Sequence, residues 1–170
     1  NHPYGWAAAE YVKIAREEVA ALTGAETGEI IFTSGATESV NLAIKGVAEA
    51  YKKKGNHIIC YQTEHKAVLD TCKYLEAKGY SISYLGVAPN GLPNLNELET
   101  AITPETILIV AMYANNETGV IFPVKEISAI ARKHGILFFS DATQAAGKIP
   151  INVKQDGIDL LCISAHKIYG

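Results

Sequence analysis

Residues 106–112 read TILIVAM and form the most strongly apolar run of the chain. The run has the length of a strand rather than a helix, and apolar residues at consecutive positions predict burial on both faces. Strands of that kind lie inside parallel sheets that carry helices on both sides. The fold class therefore depends on whether helical and strand patterns alternate on either side of this run.

Such patterns do alternate along the chain. Shorter apolar runs predict further strands at 29–33, 57–61, 81–85, 136–140 and 159–163. The strongest helical periodicity runs from Val40 to Tyr51. Weaker apolar stripes predict helices at 12–22, 68–75, 95–102 and 124–131. We therefore predict an α/β domain with a doubly wound, mostly parallel sheet between two layers of helices.

Composition excludes several classes of protein. Hydrophobic residues make up 48% and charged residues 19%, which is not the composition of a disordered chain. The net charge is −3 and the densest basic run, residues 52–54, ends a predicted helix, so we expect no nucleic-acid partner. The apolar runs are far shorter than the ~20 residues that a membrane-spanning helix needs, so we expect no membrane partner.

The three cysteines lie in apolar patterns. Cys60 and Cys162 fall in predicted strands, and Cys72 falls on a helical stripe. We interpret them as small buried side chains in a reducing compartment, which favours the cytoplasm, or an organellar matrix in a eukaryote. None has a basic neighbour in a loop, so we do not expect a catalytic thiol among them.

Ligands bind beyond the carboxyl ends of the strands in doubly wound sheets, and polar groups follow five predicted strands. The first loop, residues 34–37, leads into the strongest helix, whose first N–H groups favour a phosphate; Ser34 or Thr37 could instead be an ordinary helix cap. His65 follows the second strand and could stack on a flat ring or move a proton, or be a surface histidine.

The remaining three ends carry an amide, a carboxylate and an amine. Asn115 and Asn116 could be turn formers or supply an amide to a ligand. Asp141 could hold a positively charged ring nitrogen, cap a helix or bind a metal. Lys167 could form a Schiff base or be a surface lysine. Each signal is weak alone, but together they are the groups that a pyridoxal 5'-phosphate site requires. We predict that cofactor and no metal.

The sequence resembles the cysteine desulfurases of the class-V aminotransferase group, which have the fold-type-I pyridoxal-phosphate architecture of three layers. The resemblance rests on EIIFTSGATESVNLAIKG, TEHKAVLDTCKYLE, ANNETGVIFPV, DATQAAGKIPI and SAHKIYG. These motifs occur in the same order as in the family and with similar spacing. It covers essentially the whole chain. The motifs TEHKAVL and DATQ favour the iron–sulfur-cluster type of desulfurase.

This resemblance implies roles for particular residues. Lys167 would bind the cofactor covalently, and His65 would stack on its ring and take part in proton transfer. Asp141 would pair with the pyridine nitrogen, and Gln144 with the phenolic oxygen. Asn116 would lie near the cofactor and the substrate carboxylate. The phosphate would be held by Ala36, Thr37, Ser164 and His166.

The resemblance also implies a reaction and partners. L-cysteine would give L-alanine, with the sulfur passed to an enzyme cysteine as a persulfide for iron–sulfur cluster assembly by an acceptor or scaffold protein. A homodimer is implied as well. Residues 1–170 would form an incomplete cofactor-binding large domain, because family members are more than twice as long. The small domain, the loop with the acceptor cysteine, a phosphate ligand from the partner subunit and a carboxylate-binding arginine are not in the sequence, so we expect the chain alone to be inactive.

Three alternatives remain open at this point. Another class-V enzyme, either an aminotransferase or a β-eliminating lyase of the selenocysteine or cystine type, would keep the cofactor and change the reaction. A nucleotide-binding domain is suggested only by Gly147 and Lys148, since a P-loop would require Gly at 142 and Ser or Thr at 149, where the chain has Ala142 and Ile149. A non-catalytic scaffold fragment is the third alternative.

Overall fold

Five parallel strands form one sheet in the computed structural model, which describes residues 3–168. The strands are β1 (His57–Tyr61), β2 (Ser81–Leu85), β3 (Thr106–Val110), β4 (Leu137–Asp141) and β5 (Leu160–Cys162). Their spatial order is β2-β1-β3-β4-β5. All residues of β1 and β3 are buried, as their continuous apolar sequences predict.

Within residues 3–168, six α-helices connect and cover the strands. They are α1 (Pro3–Thr23), α2 (Ala36–Tyr51), α3 (Lys66–Glu76), α4 (Leu95–Ala101), α5 (Val124–Lys133) and α6 (Val153–Asp156). Short 3-10 helices occupy Thr27–Glu29 and Ala165–Lys167. In the described part of the chain, no helix is long and apolar enough to cross a membrane.

Alternate strand residues face two separate apolar cores. Ile58 and Cys60 point to the core that α2 and α3 cover, where Ile44 and Val68 are fully buried. Ile59 and Tyr61 point to the opposite core, which α4 and α5 cover. Helices therefore lie on both faces of a parallel sheet, and the predicted three-layer α/β architecture is confirmed.

One predicted strand is wrong. Residues 30–33 have no regular secondary structure and lie outside the sheet, and residues 27–29 form a 3-10 helix. Ile31 is 70% exposed and Phe32 48% exposed. A strand requires hydrogen bonds to a neighbour, and a cavity of about 590 Å³ lies between this segment and the end of the sheet near β5.

Smaller differences concern element ends and one helix. Strand β3 ends at Val110, two residues before its apolar run does, and α6 was not predicted because it has only four residues. The predicted stripe of α1 is largely outside the core, since Val12 is 50% exposed and Leu22 40% exposed, while Ala20 is buried.

The sheet order reverses direction next to β1. From β1 the chain passes to β2 on one side, then returns to β3 on the other side and continues to β4 and β5. The carboxyl ends of β1 and β3 therefore form a crevice where no connection crosses between them. The loops after these strands carry His65 and Asn116.

Candidate functional site

A cavity of about 520 Å³ opens at the carboxyl edge of the sheet. Every site residue predicted from the sequence lines it: Ala36, Thr37, His65, Asn116, Asp141, Gln144, Ser164, His166 and Lys167. They come from five separate stretches of the chain, so the fold brings together groups that the sequence keeps far apart.

The first wall of the cavity is the amino end of α2. Its N-cap is Gly35, and no side chain caps the helix, so the alternative that Ser34 or Thr37 is an ordinary cap is wrong. The Glu38 carboxylate instead accepts from Ser34 N–H at 2.6 Å and from Ser34 Oγ at 2.7 Å, which lowers the pKa of Glu38. The first-turn N–H groups of a 16-residue helix thus remain available to an anion.

His65 lies at the start of α3 and is exposed to the cavity. Its Nδ1 accepts from the N–H of Ala67 at 3.2 Å, which makes His65 the N-cap of this helix. With Nδ1 an acceptor, the neutral ring carries its proton on Nε2. The imidazole is therefore held in one orientation and one tautomer, as a stacking or proton-moving group requires.

The two asparagines after β3 divide the predicted roles between them. Asn115 forms the turn, since its Oδ1 accepts from the N–H groups of Glu117 and Thr118, each at 2.9 Å. Asn116 is exposed and lines the cavity. Asn115 is thus the turn former, and Asn116 is the amide that faces the cavity.

Asp141 is the last residue of β4 and is 8% exposed. Its Oδ1 accepts from Thr143 N–H at 3.0 Å, and its carbonyl accepts from Tyr113 N–H at 2.9 Å. Gln144 follows in the same loop, and its Oε1 accepts from Lys148 Nζ at 3.0 Å. The bond from Thr143 therefore orients the carboxylate, and the bond from Tyr113 holds the backbone of Asp141 beside the end of β3.

The last wall follows β5. Ser164 is buried, and its Oγ lies 2.8 Å from Nδ1 of His166. The 3-10 helix Ala165–Lys167 begins here, and Lys167 is exposed to the cavity. The last two residues of the predicted SAHKIYG motif, Tyr169 and Gly170, lie outside the described residues.

Sequence reasoning missed other residues at this site. Met112, Ala114 and Thr143 also line the cavity, but apolar or small side chains give no chemical signal in a sequence. Glu64 was also missed, although a lone acid after a buried strand was the available signal. Within residues 3–168, no three His, Cys, Asp or Glu side chains are grouped as metal ligands would be.

The cavity has the groups that a pyridoxal phosphate would need. An uncapped helix start can receive a phosphate, Asp141 can receive a ring nitrogen, and Lys167 supplies an amine. The family model described as Aminotransferase class-V matches residues 1–170. The chain belongs to this family. Cysteine desulfurases and other class-V members are pyridoxal-phosphate enzymes.

Curated relatives with high sequence identity to the chain are cysteine desulfurases. The chain is 57% identical over 99% of its length to a cysteine desulfurase IscS of Ehrlichia chaffeensis, and covers 41% of that protein. It is 56% identical over its whole length to a probable mitochondrial cysteine desulfurase of Dictyostelium discoideum, and covers 38% of it. The recognised resemblance to class-V desulfurases is confirmed.

Solved structures share the fold. The structure of SspA in complex with cysteine matches the whole chain with a TM-score of 0.96 and 42% identity, and the match covers 49% of that chain. A NifS-like protein matches 99% of the chain with a TM-score of 0.95 and 42% identity, over 47% of that chain. The chain spans about two-fifths of the curated relatives that it matches. These similarities do not favour the aminotransferase, lyase or nucleotide-binding alternatives.

Proposed function

We propose that these residues are the cofactor-binding large domain of a cysteine desulfurase that converts L-cysteine to L-alanine and passes the sulfur on as an enzyme persulfide. The observation that carries this proposal is the single cavity lined by all nine residues that the sequence singled out. The desulfurase names of the relatives and the cysteine bound to SspA support the reaction and the substrate.

The residues at the cavity would hold pyridoxal phosphate by complementary chemistry. The N–H groups of Ala36 and Thr37, with the polar side chains of Ser164 and His166, would receive the phosphate. Asp141 would bond the protonated ring nitrogen. When bound, pyridoxal phosphate supplies an acceptor for the electrons released at the substrate Cα.

Four side chains would then orient the reactants and move protons. His65 would cover the flat ring of the cofactor and carry a proton on Nε2. Gln144 would donate from its amide to the phenolic oxygen, and Asn116 would bond the carboxylate of L-cysteine. Lys167 would bind the cofactor covalently and, once displaced by substrate, would move protons at the substrate Cα.

The sulfur-transfer half of the reaction would lie in other parts of the protein. Cys60, Cys72 and Cys162 are buried, so none of them can receive sulfur from a substrate in this cavity. We place the acceptor-cysteine loop, the small domain and the carboxylate-binding arginine outside residues 1–170, and a further phosphate ligand on the partner subunit of a homodimer. An acceptor or scaffold protein for iron–sulfur clusters would receive the persulfide sulfur in the cytoplasm or in an organellar matrix.

The test is to locate the lysine that binds the cofactor. The protein is incubated with pyridoxal phosphate, reduced with borohydride, digested and analysed by mass spectrometry. We expect a pyridoxyl group on Lys167 that is lost in Asp141→Ala and His65→Ala but kept in Lys53→Ala, a change at an exposed lysine of the opposite edge. Labelling scattered over exposed lysines would refute the proposed cofactor site.

Residues 1–170 alone should release no alanine from L-cysteine, and turnover by them would refute the division of the protein proposed above.

A further inference from the structure

Glu64 is a buried acid at the turn between β1 and α3, directly before His65. The residue is only 5% exposed, and its Oε1 accepts from the backbone N–H of Met112 at 2.6 Å. Its Oε2 is buried and has no hydrogen-bond partner among the described residues. A carboxyl group in this position has one donor for two oxygens, which is too few for a buried negative charge.

The surroundings of Glu64 disfavour its ionised form. Burial, and to a smaller extent the nearby Asp141 and Cys72, raise the pKa of Glu64 to about 8, although the bond from Met112 acts in the opposite direction. Tyr61 and Cys60 of β1 also lie close enough to interact electrostatically with this carboxyl group. None of these neighbours in the described chain is a cation, so the bond from Met112 alone offsets part of the cost of burying the charge.

The bond from Met112 to Glu64 joins two loops of the cavity. Residues 64 and 112 are 48 positions apart, and the bond connects the turn after β1 to the end of β3. The next residue in the first loop is His65, and both His65 and Met112 line the cavity. A second bond, from Asn115 Nδ2 to the carbonyl of Thr63 at 3.3 Å, connects the same loops.

We propose that Glu64 is a positioning residue that holds a proton at neutral pH and fixes His65 at the cavity through its bond with Met112. The protonated carboxyl group accepts the N–H of Met112 without placing a second negative charge beside Asp141. Asp141 is then the one of these two carboxyl groups that lines the cavity, where the proposed function requires a negative partner for the ring nitrogen. This positioning role therefore rests on the proposed function, whereas the protonation of Glu64 does not.

Two variants distinguish the protonation of Glu64 from its role in positioning His65. Glu64→Gln keeps an Oε1 acceptor for Met112 and cannot ionise, whereas Glu64→Ala removes the acceptor. Glu126→Gln changes an exposed acid of α5 in the same way and is the control. Unfolding by urea is followed at pH 5, 6, 7 and 8 in the protein without cofactor, and the dissociation constant of pyridoxal phosphate is measured at pH 7.

The protonation of Glu64 predicts a sign for the first measurement. A carboxyl group whose pKa is raised by folding stabilises the native state fully below its ordinary value and loses that effect as pH rises towards the raised value. The unfolding equilibrium of the wild type should therefore shift towards unfolding by roughly tenfold per pH unit relative to Glu64→Gln. Parallel pH curves for these two proteins, with Glu126→Gln also parallel, would overturn the proposal.

The positioning role predicts the second measurement. Glu64→Gln should bind pyridoxal phosphate as tightly as the wild type, and Glu64→Ala should bind it at least tenfold more weakly. Equal binding by wild type and Glu64→Ala, or binding by Glu64→Gln as weak as that by Glu64→Ala, would overturn the proposal. A wild type that takes up no cofactor at Lys167 would refute the proposed function and with it the positioning role, while the pH series would still decide the protonation of Glu64.

Discussion

Asn115 Nδ2 donates to the carbonyl of Thr63 at 3.3 Å, a bond between residues that are 52 positions apart. The same side chain accepts through Oδ1 from the turn that follows β3. Its neighbour Asn116 is exposed and faces the cavity. One asparagine therefore connects two loops, and the other is available to a ligand.

Substituting the two asparagines separately should affect stability to different degrees. Asn115→Ala removes an acceptor of three hydrogen bonds and should lower the free energy of unfolding by about 1–3 kcal/mol. Asn116→Ala should leave that free energy within about 0.5 kcal/mol of the wild type, as is usual for an exposed side chain. Urea unfolding measures both changes, and a larger loss in Asn116→Ala than in Asn115→Ala would contradict the assignment.

The asparagine pair illustrates what sequence can predict at this site. Strand ends are visible as the points where apolar runs stop, so residues such as Asp141 and His65 could be placed at the carboxyl edge of the sheet. Which of two adjacent amides bonds the backbone depends on the turn geometry, which the sequence does not determine. The burial of Glu64 could not be read from the sequence either, because its partner Met112 is 48 positions away.

The incorrect prediction of a strand at 29–33 has a different cause. Its apolar residues have a strong preference for extended structure. A strand also needs a hydrogen-bonding neighbour, and local sequence does not report whether one is present. The strands β1 and β3 were predicted well because both lie inside the sheet, where burial on both faces produces continuous apolar runs.

His57 should make the protein less stable in acid. Its Nδ1 lies 2.7 Å from Thr106 Oγ1 and its Nε2 lies 2.9 Å from Ser83 Oγ, so the ring connects β1 to both neighbouring strands. Burial lowers the pKa of His57 from its ordinary value of 6.5. The neutral ring therefore stabilises the native state fully above pH 6.5, and this effect is lost as pH falls below that value.

Urea unfolding at pH 7.5, 6.5 and 5.5 measures this effect. The wild type should lose up to about 1.4 kcal/mol per pH unit relative to His57→Gln, which has no titrating ring. Glu64 acts in the opposite direction over part of this range, but it is present in both proteins and does not affect their difference. Identical pH dependence in the two proteins would show that His57 is not the titrating group.

A side chain at position 55 should destabilise the protein. A Cβ atom at this position would lie 2.2 Å from the carbonyl oxygen of Glu105, a backbone atom that precedes β3. Gly55→Ala should therefore lower the free energy of unfolding by about 1–3 kcal/mol, because the chain entering β1 must move away from its neighbour.

Gly46 provides the matched comparison for Gly55. It lies inside α2, and a Cβ there would meet no atom within 4 Å. Gly46→Ala should raise the free energy of unfolding by about 1 kcal/mol, since alanine favours the helix over glycine. Thermal or urea unfolding of both variants tests the pair. A Gly55→Ala protein as stable as the wild type would contradict the close contact with Glu105.

The three cysteines should resist thiol reagents in the native protein. Contact with Cys72 and burial raise the pKa of Cys60, and burial raises the pKa of Cys162 to about 12. Thiolates are the reactive species, so neither group should react at pH 8 while the protein is folded. Cys162 also packs beneath the first turn of α2, where its Sγ lies 3.7 Å from the carbonyl oxygen of Ala36.

Mass spectrometry after iodoacetamide should find no label in the native protein and three labels after unfolding in urea. Labelling of Cys162 under native conditions would mean that the floor below the candidate phosphate site opens to solvent.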